Sequence, residues 1–323
     1  MRLRRPRSAA IDVMASVGSV ELSNPIMTAS GTAGHGAELA AYFDLNDLGA
    51  MVVKSLSAEP WGGNPSPRVA EVPDGMLNAV GLANPGVTSW METGLPQLEA
   101  AGATVVGSIW GRTVDEFTAA GTLLAPVTSR LAALEINVSC PNLESSSEMF
   151  AHSPEATTAV VRAVAEAAGD IPIWVKLSPN TDRLVDVAGA AHDAGAHAVT
   201  LINTVLGLRI DPVSGRQALG NGGGGLSGPA IHPVAVRAVF DVHAAHPVLP
   251  IVGVGGVRSA EDAVELVLAG ASAVQVGTAT FADPRAPARI AAGIGHAVHR
   301  AGAVALRDLV GAAHHRPRLE AAP

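Results

Sequence analysis

Short, nearly continuous apolar runs punctuate this chain, separated for the most part by longer Ala-rich stretches of amphipathic character. The runs span Pro25 to Ser30, Ala50 to Ser57, Ala103 to Trp110, Ala133 to Cys140, Pro172 to Pro179, Ala198 to Val205, Pro250 to Val257 and Ala273 to Ala279. Runs without polar alternation suit parallel strands covered on both faces. Helix-start signals fall between them, as in Ser153-Pro154-Glu155 before Ala156 to Ala168 and Ser259-Ala260-Glu261-Asp262 before Ala263 to Ala269. Eight strands with intervening helices predict an α/β fold, a (β/α)8 TIM barrel; a doubly wound open sheet is the alternative, since strand count does not prove closure. The stretch Ile11 to Leu22, turning at Gly18-Ser19, predicts a β-hairpin ahead of the first barrel strand. The expected organisation is one catalytic domain over 11–310, with a basic tail over 1–10 and a C-terminal tail over 311–323.

A barrel gathers its chemistry at the carboxyl ends of its strands. Ser30, Lys54 with Ser55, Ser108, Asn137 with Cys140, Lys176, and Asn203 with Thr204 end the first six runs, and Gly255-Gly256 and Gly277-Thr278 the last two. One polar strand end can serve only its own loop. Polar or glycine-rich residues at all eight ends point to a site. Two long insertions, Ala58 to Asn84 and Gly207 to Gly228, follow the second and sixth runs on that same face, where loops of such length act as lids or binding loops.

Composition narrows the classes. The 323 residues are 48% hydrophobic and 15% charged, with a formal net charge of -8. That profile fits a compact α/β enzyme and argues against a nucleic-acid partner. The basic cluster Arg2, Arg4, Arg5 and Arg7 reads as a solvated tail, with a membrane surface or nucleic acid as the other readings. Asp12 and Glu21 interrupt any signal-peptide core, and no run of about 18 apolar residues predicts a membrane span. A single cysteine leaves no internal disulfide and no cysteine-ligated cluster built from this chain, and it suits the cytoplasm.

The candidate chemistry lies at three places. The turns Gly253 to Val257 and Val276 to Ala279 follow the last two strands, where glycine lets backbone N–H groups approach a phosphate. Lys54 and Lys176 end strands inside a barrel, where an ammonium needs a partner. An anionic cofactor or a carboxylate substrate would supply one, and Glu135 or another acid is the bland alternative. Cys140, between Ser139 and Pro141, stands in a Pro-terminated loop rather than mid-strand, a placement for a reactive thiol, although a lone cysteine is more often inert.

Taken together, NPIMTASG (24–31), VVKS (52–55), GNPSPR (63–68), NAVGLANPG (78–86), EINVSCPN (135–142), VKLSPN (175–180), INT (202–204), GGLSGPAI (224–231), GVGG (253–256) and QVGT (275–278) resemble the class 1 dihydroorotate dehydrogenases, most closely the class 1B catalytic subunits. The resemblance runs from Asn24 to about Ala282. It implies FMN held by Ser30, Lys54, Ser55, Asn137, Lys176, Ile202 and Gly228, with its phosphate on Gly255, Gly256, Gly277 and Thr278. It implies a substrate met by Lys54, Asn78, Ala79, Val80, Gly81, Leu82, Asn137, Asn203 and Thr204, with Asn142 as a further candidate. No metal site is expected.

Oxidation of dihydroorotate to orotate, a step of pyrimidine biosynthesis, removes a proton from C5 and a hydride from C6. The site therefore needs a base opposite a hydride acceptor, and Cys140 fits the base. Serine replaces this cysteine in the membrane-associated class 2 enzymes. The class 1B resemblance further implies a homodimeric core and a separate subunit carrying FAD and an iron–sulfur cluster that passes electrons to NAD. Fumarate and other acceptors stay open. Two departures stand out: Ser108 occupies a position where the family typically has an FMN-binding asparagine, and Glu144 to Phe150 lacks the expected glycines. A dihydropyrimidine dehydrogenase-type flavin enzyme and a non-catalytic flavin-binding subunit are the alternative readings.

Overall fold

The computed structural model describes residues 11–139 and 149–315. Hairpin strands β1 (Ala15–Val17) and β2 (Val20–Leu22) pair antiparallel, as the turn at Gly18-Ser19 predicts. The next strands in the chain are β3 (Ile26–Thr28), β4 (Met51–Val52), β5 (Val69–Val72), β6 (Gly75–Asn78), β7 (Val105–Ile109) and β8 (Ala133–Asn137). They are followed by β9 (Ile173–Lys176), β10 (Ala198–Leu201), β11 (Val205–Gly207), β12 (Gly224–Ser227), β13 (Ile251–Val254) and β14 (Ala273–Val276).

Eight of these form one parallel sheet in the order β3-β14-β13-β10-β9-β8-β7-β4. The two ends meet. Met27 bridges Ala50 in parallel, and Gly49 N–H donates to the Ile26 carbonyl at 2.8 Å. The Thr28 hydroxyl, fully buried, locks the seam by donating to the Val52 carbonyl at 3.2 Å and accepting from Val52 N–H at 2.9 Å. The sheet is therefore a closed (β/α)8 barrel, and the open-sheet alternative is excluded.

Helices α1 (Val87–Ala100), α2 (Val114–Leu124), α3 (Pro154–Ala168), α4 (Leu184–Asp193), α5 (His232–Ala245) and α6 (Ala260–Ala269) cover the outside, with α7 (Ala279–Ala282) and α8 (Ala286–Arg300) completing the ring. Their starts follow the sequence signals. Ser153 accepts from Ala156 N–H ahead of Pro154, and Ser259 with Asp262 forms a reciprocal capping box. The core is continuous from β1 to the residues after α8, with Trp90, Trp174, Phe117 and Phe150 as its largest buried side chains. Beyond residue 310, Gly311 N–H donates to the Val267 carbonyl and the His314 ring stacks on Phe240 at 3.8 Å, so the chain stays packed on the barrel through this stretch.

The two insertions do not remain separate loops. β5 and β6 from the first and β11 and β12 from the second form a second sheet, order β11-β12-β6-β5, through antiparallel pairing of β6 with β12. This sheet stands over the carboxyl ends of β9, β10 and their neighbours, and its own small core is Leu77, Ala79 and Leu219.

Barrel closure leaves no room at Gly49, where a Cβ would lie 2.1 Å from the Asn24 carbonyl oxygen. Gly49→Ala is expected to destabilise the protein by about 1–3 kcal/mol, the scale of an overpacked core, measured as the shift of a urea unfolding midpoint.

Candidate active site

A cavity of about 620 Å³ opens where the barrel strands end beneath the second sheet. Every described residue to which the resemblance assigns FMN or substrate lines it, from Ser30, Lys54 and Ser55, through Asn78 to Leu82, Asn137, Lys176 and Ile202 to Thr204, to Gly228, Gly255, Gly256, Gly277 and Thr278. Cys140 and Asn142 lie outside the described residues. Ser139, the residue before Cys140, lines the cavity. Its N–H donates to Asn137 Oδ1 at 3.2 Å.

The floor is a buried polar layer. Glu135 in β8 is 0% exposed, and its Oε2 accepts from Gln275 Nε2 at 2.7 Å and from the Thr200 hydroxyl at 3.0 Å. These three come from the fourth, sixth and eighth barrel strands, the alternate-strand layering that barrel interiors use. Lys176 stands above them. Its Nζ donates to Gln275 Oε1 and to Ser30 Oγ, both at 3.2 Å, and lies 3.8 Å from Glu135 Oε1. The acid partner considered for the two lysines is therefore real for Lys176.

Lys54 is different. Among the described residues no carboxylate pairs with it. Burial, and then the charge of Lys176, pulls its ammonium down to a pKa of about 8. Among the described residues the site thus holds two lysines over one carboxylate, an arrangement that fits an anion beside Lys54.

Amides line one wall. Asn203 Nδ2 donates to Asn137 Oδ1 at 3.1 Å, and Asn137 Nδ2 reaches Ser55 Oγ at 3.5 Å. Asn78, brought in by β6, donates to the Gly225 carbonyl of β12 at 3.3 Å. Ser108, by contrast, does not reach the cavity: it is 0% exposed and shares a 2.9 Å hydrogen bond with Ser55 Oγ. At the far end, the N–H groups of Gly255, Gly256, Gly277 and Thr278 meet no protein acceptor among the described residues. Converging, unpaired backbone donors are what a phosphate group needs, so these residues fit one.

The sequence reading passed over Asn64 and Asn180, which also line the cavity. Asn64 donates to the Ala79 carbonyl at 3.1 Å and fixes the Asn78 to Leu82 segment. Asn180 donates to the Thr204 carbonyl at 3.0 Å and accepts from Leu206 N–H at 2.8 Å, fixing Asn203 and Thr204. Both lie in quoted motifs, GNPSPR and VKLSPN, and an asparagine beside proline in a loop is the signal that could have found them.

Fold and cavity together define a (β/α)8-barrel enzyme with its site at the carboxyl ends of the strands. The chain belongs to the dihydroorotate dehydrogenase family, whose profile matches residues 13–298; the family's oxidoreductases depend in general on a flavin. It is 44% identical over 301 residues to the dihydroorotate dehydrogenase B (NAD(+)) catalytic subunit of Geotalea uraniireducens, covering 93% of this chain and 98% of that one. The protein of the same name from Desulforudis audaxviator is 47% identical over 299 residues, at 93% and 96% coverage. That from Anoxybacillus flavithermus is 47% identical over 265 residues, at 82% and 84% coverage. No helix among the described residues is long and apolar enough to cross a membrane.

Removing Glu135 would strand the Lys176 ammonium beneath the cavity. Glu135→Ala is expected to lower the unfolding free energy by about 3–5 kcal/mol, the cost of breaking a buried pair on one side, read from urea denaturation curves.

Proposed function

We propose that this chain oxidises (S)-dihydroorotate to orotate in pyrimidine biosynthesis, with FMN as its resident cofactor and Cys140 as the base. The observation that carries the reading is Lys54, an ammonium without a carboxylate partner among the described residues, in one cavity with the amides of Asn78, Asn137 and Asn203. A charged amine beside several amides matches a ring that bears a carboxylate together with amide edges. Lys54 would meet the carboxylate, and the asparagines, with Thr204 and the backbone of Asn78 to Leu82, the ring.

FMN would lie with its phosphate on Gly255, Gly256, Gly277 and Thr278, and its ring system among Ser30, Lys54, Ser55, Asn137, Lys176, Ile202 and Gly228. Bound there, it supplies the acceptor for the C6 hydride. The rest of the chemistry belongs to side chains. Cys140 Sγ takes the C5 proton, and its chain position, directly after cavity-lining Ser139, supports that role. Lys54 and the asparagines would fix the ring within the cavity.

The final oxidant lies outside this chain, whose single cysteine cannot ligate an iron–sulfur cluster. In keeping with relatives named as catalytic subunits, we assign electron transfer to a partner subunit carrying FAD and such a cluster, with NAD as terminal acceptor. We place this chain in a homodimeric core in the cytoplasm.

Anaerobic L-dihydroorotate should bleach the flavin of the purified protein, and Cys140→Ala should keep the flavin but bleach roughly 100-fold more slowly, the scale of a lost general base. An unchanged rate would remove Cys140 from the mechanism. Bleaching by dihydrouracil instead would favour the dihydropyrimidine-type reaction.

Lys54 also sets a pH dependence. The ammonium is charged below its pKa of about 8 and neutral above it. Orotate affinity should therefore be highest on the acid side and weaken as the pH rises through that value, as followed by calorimetric titration. Lys54→Met should bind orotate weakly and lack that inflection.

A further inference from the structure

His232, the first residue of α5, belongs to none of the roles above, yet it touches the turn that follows β13. Its Nδ1 lies 2.7 Å from the Gly255 carbonyl oxygen, and its Nε2 lies 3.3 Å from Glu265 Oε2 on α6. A carbonyl only accepts, so the 2.7 Å contact requires a proton on Nδ1. The peptide between Gly255 and Gly256 is planar, and its C=O and N–H point to opposite sides. Holding the Gly255 oxygen against α5 therefore turns the Gly256 N–H away from α5, and that N–H meets no acceptor within the described residues.

The turn is also fitted closely to the histidine. Gly256 has φ +70°, and a Cβ there would lie 2.7 Å from His232 Cβ and 2.9 Å from the Gly228 carbonyl oxygen. No side chain can take the place of the glycine, and the strand end rests directly on the histidine stem.

We propose that His232 is a positioning residue for phosphate recognition: by donating Nδ1–H to the Gly255 carbonyl, it sets the peptide whose N–H faces the phosphate group of the flavin nucleotide. This deepens the FMN reading and rests on it. Glu265, which is exposed, lies beside Nε2 on the side of the ring away from Gly255 and does not approach the cavity; it is not among the residues lining that space.

The test compares FMN with riboflavin, which shares the ring system and lacks the phosphate. Flavin-free protein prepared from the holoenzyme is titrated with each ligand and flavin fluorescence is followed. His232→Asn keeps an amide N–H where Nδ1 stood, whereas His232→Gln places it near Nε2 and leaves the Gly255 carbonyl unserved. The expected result is wild-type preference for FMN, retained in His232→Asn. In His232→Gln the FMN dissociation constant should rise about tenfold, the scale of one well-placed hydrogen bond, with riboflavin binding unchanged.

An unaltered FMN-to-riboflavin ratio in His232→Gln would overturn the assignment. So would equal loss of both flavins, which would mark a general packing role, or a His232→Asn variant as impaired as His232→Gln. A wild-type protein with no preference for FMN would instead sink the cofactor reading, and this proposal with it.

Discussion

One buried carboxylate organises the catalytic end of this barrel. Glu135 is fully enclosed, and a charge enclosed in that way is tolerated only when hydrogen-bonded and paired. Gln275 and Thr200 meet the first need; Lys176, at 3.8 Å, meets the second. Because the amide of Gln275 bridges the two charged groups, donating to the acid and accepting from the lysine, the acid also fixes where the lysine stands. Lys176 in turn holds Ser30 from the first strand. Five strands are thereby tied together at the floor of the cavity by one polar layer. Since the carboxylate is already engaged by Lys176, the second lysine, Lys54, has no acid partner among the described residues and raises the positive potential of the site. The positive charge of the cavity is set from below it, at a residue that does not line it.

The roof depends on a different constraint. Two segments far apart in the chain, one after the second barrel strand and one after the sixth, each form a hairpin that could not be stable alone. Pairing β6 with β12 gives each the neighbour it lacks. The same pairing sets Asn78 opposite Gly225, a register that carries a cavity residue on each strand. The roof and the recognition wall are therefore one structure, and loosening the sheet would loosen the wall with it.

The barrel was largely legible in the sequence because each strand is buried on both faces and carries a nearly continuous apolar run, while Pro, Gly and capped helix starts mark the borders. The boundaries were less legible: the run from Ala50 to Ser57 contributes only Met51–Val52 as strand, because Lys54 and Ser55 turn to line the cavity before Leu56 rejoins the ladder by a single bridge to Ile109. The second sheet was hidden. Its strands are short and half-exposed, and β12 is GGLS, whose composition gives no strand signal. Only long-range pairing makes it one. The site residues were named by motif resemblance, but the split between the two lysines was not, since both read as buried ammonium groups and only the geometry shows that Glu135 serves one of them.

Ser108 shows how far a sequence departure can be followed into function. A residue at the end of β7 that read as a missing flavin contact lies one layer below the cavity, its hydroxyl against Ser55 Oγ. Ser55 is in turn the group reached by Asn137 Nδ2, and Asn137 Oδ1 accepts from Asn203. The departure therefore removes a side chain from the ligand's reach and places its hydroxyl behind the amide wall. A hydroxyl is well suited to that place, because it can donate or accept as Ser55 requires, whereas an amide has fixed donor and acceptor ends. With Ser108 satisfying Ser55 from behind, Ser55 can answer Asn137 in front. The orientation of the asparagine pair is thus supported by a residue with no access to the cavity.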